Sequence, residues 1–254
     1  MKELLLHTAW SMTTPTPYSA FHIVISLAGI ALAVFLAHRL RRVPERALLG
    51  ILFSCGLVLA VSEIYKQLFL YYVVNDMHYD WWYFPFQLCS LPMYFCLLLP
   101  CIPSRKLRTV LLTFMQNFNL LGGVMALLEP SGLLHPYWVL TLHGLFWHIL
   151  LIFIGLLIGF NGRSDLSARG FANTLPLFGA CCLIASFINV WTHTLGDADM
   201  FYISPYYPTT QIVFHTIALK LGILAGNVIY LLSICLGGFL FHLLIGRIRR
   251  SRLI

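Results

Sequence analysis

Seven long apolar stretches, with the basic residues that flank them sorted to one side, leave this chain few ways to fold. The stretches run over Tyr18–His38, Ala47–Tyr72, Phe84–Ile102, Arg108–Leu128, Pro136–Phe160, Gly170–Leu195 and Thr209–Ile245. Basic clusters follow the first, third, fifth and seventh: Arg39, Arg41, Arg42 and Arg46; Arg105, Lys106 and Arg108; Arg163 and Arg169; Arg247, Arg249, Arg250 and Arg252. The opposite connections carry Asp76, Asp80, Glu129, Asp197 and Asp199. Lys and Arg accumulate in cytoplasmic loops, so the pattern predicts an N-terminus outside, a cytoplasmic C-terminus and an odd number of crossings. Of the 16 Lys and Arg, only Lys2, Lys66 and Lys220 lie elsewhere, and the last two fall inside apolar runs.

Composition agrees with a membrane as solvent. Charged residues make up 10% of the 254 residues and hydrophobic ones 59%, whereas a soluble domain carries about 25% charged residues. A span takes about 20 apolar residues, so seven of them consume nearly the whole chain and leave no room for a soluble domain. The expected fold is all-α and polytopic, with seven transmembrane helices: an outer interfacial lead-in at 1–17, a transmembrane domain at 18–246 and a basic cytoplasmic tail at 247–254. Helices are expected because backbone groups in hydrocarbon must be satisfied within the segment. The seventh stretch is too long for one straight span. Thr209–Leu219 is read as an outer lead-in, partly embedded, before a crossing near Lys220–Ile245.

The net charge of +7 is spread over loop edges and points to anionic headgroups, not nucleic acid. Cys55, Cys89, Cys96, Cys101, Cys181, Cys182 and Cys235 lie in or at the ends of apolar runs without CxxC spacing. Neither a disulfide framework nor a metal site is expected, and no cofactor motif is present. An oligomeric state is not readable.

With the orientation set, polar residues from six stretches fall into one outer layer: Glu63 and Lys66; Gln87 and Cys89; Gln116, Asn117, Asn119 and Glu129; His143 and His148; Asn189 and His193; Gln211, His215 and Lys220. Asn173 and Asn227 are assigned to the cytoplasmic half. Ionisable groups in a membrane are costly and usually face a protein interior, so the layer is read as a buried polar cavity. The plainer reading is that these groups only tie helices together by hydrogen bonds. Glu63 and Lys66, three apart, can neutralise each other. Cys89 is the best nucleophile candidate: Pro92 is expected to kink the helix beside it, and a place one or two turns into the helix favours thiolate. His143, at similar depth, is the candidate base. Gln87, Gln116 or Asn119 could donate to an oxyanion, Lys220 could hold a headgroup, and Glu63 and His193 are further acid or base candidates.

Several of these motifs resemble a family. Glu63-Ile-Tyr-Lys66, Gln87-Leu-Cys89, Gly122-Gly-Val-Met-Ala-Leu-Leu-Glu-Pro130, His143-Gly144, Asn189 and Asp199-Met-Phe-Tyr-Ile-Ser-Pro205 resemble the YwaF-like bacterial integral membrane proteins over roughly residues 45–235. That family is similar to a eukaryotic multispanning phospholipid acyltransferase and distantly to androgen-induced membrane hydrolases of fatty-acid esters. The resemblance implies a bacterial plasma membrane and acyl transfer through a Cys and a His, which map onto Cys89 and His143. Gln87 stands where many relatives show His, which moves the base role to His143. The expected function is therefore acyl transfer on outer-leaflet lipid, with membrane lipid as acyl donor and acceptor. The substrate-binding candidates are Glu63, Lys66, Gln87, Gln116, Asn119, Asn189, His193 and Lys220. A solute or ion carrier using Glu63, Lys66 and Lys220, and a non-catalytic scaffold that binds lipid or a partner through the 196–208 loop, are the alternatives.

Overall fold

The computed structural model describes residues 1–251, so the end of the basic tail, with Arg252, lies outside the described residues. The described chain is helical throughout: α1 Lys2–Leu6, α2 Ala20–Arg39, α3 Glu45–Phe69, α4 Leu91–Leu98, α5 Arg105–Phe114, α6 Leu120–Leu128, α7 Trp138–Asn161, α8 Ala168–Ala172, α9 Leu175–Thr192, α10 Ile212–Leu221 and α11 Ile223–Arg250. Six helical runs are long and apolar enough to cross a membrane: Ala20–Arg39, Glu45–Val74, Arg105–Leu128, Trp138–Asn161, Ala168–Thr192 and Ile223–Arg250. Local chemistry marks their limits. Ser19, Ser104 and Ser167 cap α2, α5 and α8 through their hydroxyls, and Gly162 ends α7 at φ 84°, a left-handed conformation that glycine adopts without a Cβ penalty.

The run Arg105–Leu128 and helix α7 sit innermost, and α2 and α11 are the most peripheral of the six. Leu151, Ile154, Leu157 and Ile158 of α7 are fully buried against Leu48, Leu52 and Leu59 of α3. Leu183, Phe187, Val61 and Leu224 face outward, as lipid-facing side chains do. At the basic end of the bundle, Glu45 pairs with Arg108 at 3.2 Å and Arg163 at 2.8 Å, and the Asn161 amide donates to the carbonyls of Arg41 and Val43. At the other end Lys2 pairs with Asp76 at 3.2 Å, and the Tyr18 hydroxyl donates to the Leu128 carbonyl at 2.8 Å.

One stretch departs from the sequence expectation. Phe84–Ile102 does not form a full-length helix. A 3-10 turn at Leu88–Ser90 leads into α4, and a second turn follows at Leu99–Cys101. The cause is proline: Pro92 falls in the first turn of α4, where its missing N–H costs nothing, so no kink forms there. Cys89 consequently precedes α4 instead of sitting inside it. The last stretch breaks at Gly222, with φ 90°, and α10 folds back on α11 so closely that a Cβ on Gly226 would come within 2.6 Å of Ala218 Cβ.

A π-helical turn at Met115–Asn119 interrupts the central helix, with all five residues buried. Such bulges rotate the following side chains relative to a regular helix. Gln116 therefore faces the basic end, where its Oε1 accepts from Ser164 Oγ at 2.5 Å and its amide donates to Asn117. It does not join an outer layer. Asn227 corrects the other way: its amide donates to the carbonyl of Ser204, in the loop joining α9 to α10, at 3.0 Å, so it does not lie in the half with the Glu45 ion pairs, where the sequence reading put it.

Candidate functional site

A cavity of about 560 Å³ opens in the half of the bundle opposite the Glu45 ion pairs. Its polar lining includes Glu63 and Lys66 from α3, Gln87, Cys89 and Ser90 ahead of α4, Glu129 and His135 after α6, and His143 and His148 from α7. Residues 26 to 85 positions apart in sequence meet because α3, α6 and α7 pack side by side, and glycines make the approach possible. Gly144 lies against the backbone of Leu133, and a Cβ on Gly123 would sit 2.7 Å from Ile152.

Glu63 is buried and pairs with Lys66 Nζ at 2.8 Å. The Gln67 amide donates to the same Glu63 oxygen at 2.7 Å and to the Tyr83 carbonyl at 2.6 Å, while Lys66 lies over the Tyr83 ring. A buried carboxylate with two charge-assisted donors is a satisfied one. Among the described residues, Lys66 is the sole lysine or arginine on the cavity wall.

Cys89 is half-buried and its backbone carbonyl accepts from the Trp147 indole N–H at 2.9 Å. The same indole lies 5.3 Å from the His143 ring, centroid to centroid. Trp147 thus ties the thiol-bearing turn to the histidine-bearing helix. His143 Nε2 is buried without a hydrogen-bond partner. His148 is fixed differently: its Nδ1 lies 2.8 Å from the Gly144 carbonyl. A carbonyl can only accept, so Nδ1 carries the proton and Nε2 keeps its lone pair. Among the described residues no hydrogen bond joins the Cys89 thiol to either imidazole. Beside them, burial and then the charge of Lys66 pull the loop residue His135 below the ordinary histidine range.

The other candidates fall outside the cavity. Gln116 and Asn119 are buried away from it. His193 is exposed and stacks on Tyr206, and Lys220 is exposed on α10. Asn189 is buried and clamps a loop: its amide donates to the Met200 carbonyl at 3.1 Å and accepts from the Met200 N–H at 2.6 Å.

Gln87 grips the same loop. Its amide donates to the Asp199 carbonyl at 2.8 Å and its Oε1 accepts from the Phe201 N–H at 2.7 Å. With both its nitrogen and its oxygen bonded to loop backbone, Gln87 positions the loop that brings Phe201 and Tyr202 to the cavity. These two residues take left-handed φ values of 59° and 57°, a conformation that costs an aromatic residue about 1–2 kcal/mol. The three amides of Gln87, Asn189 and Asn227 offset that strain through five hydrogen bonds to loop backbone.

Asp199, in the same loop, is wholly buried, with one carboxylate oxygen accepting from the Ser204 N–H and the other without a partner. Burial raises its carboxyl from 3.8 to about 6. A value raised in the folded state favours folding at low pH, and that contribution is lost as pH rises through about 6. Asp199→Asn is therefore expected to stabilise the protein by about 3 kcal/mol at pH 7.5 and by little at pH 4. Equilibrium unfolding in mixed micelles at the two pH values checks this; an equal gain at both contradicts it.

The TMEM164 family model matches residues 10–245. The chain belongs to the TMEM164 family. No curated protein and no solved structure matches it. The matched range takes in every residue lining the cavity of this TMEM164-family protein.

His135 and Trp147 are among the lining residues that sequence reasoning missed. Thr141 binds both the N–H and the carbonyl of His135, fixing a loop whose only sequence signal was Glu-Pro-Ser-Gly at 129–132. Trp147 looked like one more apolar residue of the fifth stretch.

Proposed function

We propose that this TMEM164-family membrane protein is an acyl-transfer enzyme acting on lipid of the outer leaflet. The observation that carries the reading is one cavity lined together by a thiol, three imidazoles and the Glu63–Lys66 pair, in a molecule whose surroundings are lipid.

In the reaction, an imidazole takes the Cys89 proton and the sulfur attacks an ester carbonyl of a phospholipid. The tetrahedral intermediate collapses, the C–O bond breaks, and the leaving alkoxide takes the proton back from the imidazolium. The acyl group is then a thioester on Cys89. A second lipid hydroxyl, or water, attacks it with the same imidazole as base, and the thiol is restored. His143 serves as base, and His148, whose tautomer leaves Nε2 free to accept, supports it. Lys66 supplies positive charge for the oxyanion, the role first given to Gln87. Hydrogen bonds of this kind often tighten only once substrate is bound.

The reading includes seven crossings, the short Leu88–Cys101 segment being the third, with the N-terminus outside. Its support is the gathering of Arg41, Glu45, Arg108 and Arg163 at one end, opposite Asp76. A bacterial plasma membrane follows from the family resemblance. The carrier alternative loses one of its three charges, since Lys220 is exposed away from the cavity.

The test uses purified protein in vesicles whose phospholipid bears a labelled acyl chain. Wild type is expected to move label to lysophospholipid or to water, and His143→Ala to slow this about 10²–10⁴-fold. Absence of transfer by wild type, or an unchanged rate in His143→Ala, rejects the scheme.

A further inference from the structure

The cavity has two unlike faces. On one side lie the charged and titratable groups of α3 and α7. On the other, α6 and α11 present Leu121, Gly122, Met125, Leu231 and Ile234, with Tyr230 the one side chain among them that carries a polar atom. The two helices pinch together at depth, where a Cβ on Gly237 would sit 2.7 Å from Leu121 and one on Gly238 3.0 Å from Phe118. Above that pinch the packing opens. Gly122 lines the cavity with nothing within 4 Å of where its Cβ would be. Met125 on α6 and Ile212 at the start of α10 both line the cavity, yet are 51% and 66% exposed on the outside of the bundle. A side chain that meets the cavity and the exterior at once marks a gap in the wall. Gly122 lies six residues before the end of α6, roughly 9 Å along the axis, so the gap opens at the depth of hydrocarbon.

We infer that one acyl chain of an outer-leaflet phospholipid passes sideways between α6 and α11 and lies along this apolar wall. Its ester end then faces Cys89. The occupant follows from the two faces: a passage open to hydrocarbon takes an alkyl chain, and the polar groups beyond it take the ester. The inference rests on the lipid-modifying reading for its purpose, but its test does not require turnover.

Cys89→Ser protein in vesicles is irradiated with a phospholipid carrying a diazirine in its acyl chain, and the modified residues are mapped by peptide mass spectrometry. Labels are expected at 121–125 and 231–234. Gly122→Phe, which fills the open space, is expected to lower that labelling about tenfold, and Gly122→Ala to change it less than about twofold. Met125→Trp narrows the rim at a half-exposed position that tolerates size, and is expected to act like Gly122→Phe should the latter fail to fold. Labels confined to outward residues such as Leu183 and Phe187, or unchanged in a folded Gly122→Phe or Met125→Trp protein, overturn the passage. Wall labelling without any acyl transfer keeps the passage and removes the enzyme; transfer without wall labelling does the reverse.

Discussion

Cys89→Ser is expected to abolish acyl transfer, a loss of at least about 10³-fold, while leaving the protein folded. The size change is small, and the contact that holds the turn, Trp147 to the Cys89 carbonyl, uses backbone. A hydroxyl in the same place is far less nucleophilic than a thiol, which supplies thiolate even from a minor population. Cys101→Ser is the matched control, because that thiol is exposed and lies outside the cavity lining; its transfer rate is expected to match wild type. Label-transfer rates of the two variants at equal protein concentration decide the matter. Equal rates in Cys89→Ser and Cys101→Ser would remove the nucleophile.

Glu63→Ala is expected to be the most destabilising single change in the site, by about 3–5 kcal/mol, because it leaves Lys66 enclosed without its counter-ion. The ammonium has 2.8 Å contact with Glu63 and a side chain only 18% exposed. The Gln67 amide also loses one of its two acceptors, though it keeps the Tyr83 carbonyl. Adding Lys66→Met to Glu63→Ala removes the orphaned charge and is expected to recover most of the loss. The double variant should still lack transfer activity, since Lys66 supplies the positive charge beside the reacting ester. Equilibrium unfolding in mixed micelles separates the two effects. A double variant no more stable than Glu63→Ala contradicts the pairing; one that is stable and fully active contradicts the role of Lys66.

The helical architecture was legible because hydropathy and basic flanks act at the scale of whole segments. Where the sequence misled, the cause was local. Pro92 reads as a kink inside a long apolar run, but the helix starts only at Leu91, so the same proline is a helix start. Gln116 and Asn119 share a face in a regular helix, and the π turn at Met115–Asn119 undoes that register. Nothing in residue types announces such a turn. Lys220 looks expensive in an apolar run, yet Gly222 ends α10 two residues later and the ammonium stays on the surface. The pairing of Glu63 with Lys66 was legible from spacing, as helical neighbours three apart must meet. The double grip of Gln87 on Asp199 and Phe201 was not, since it depends on a loop more than a hundred residues away in sequence.

The most direct test of the account is the intact mass of the protein after brief incubation with a phospholipid of defined acyl chain and no acceptor lipid. Acyl transfer through Cys89 predicts a mass increase equal to one acyl group, located at Cys89, removed by hydroxylamine at neutral pH and missing from Cys89→Ser. Label transfer that proceeds with no acylated species at Cys89, under conditions where a thioester would be trapped, would contradict it.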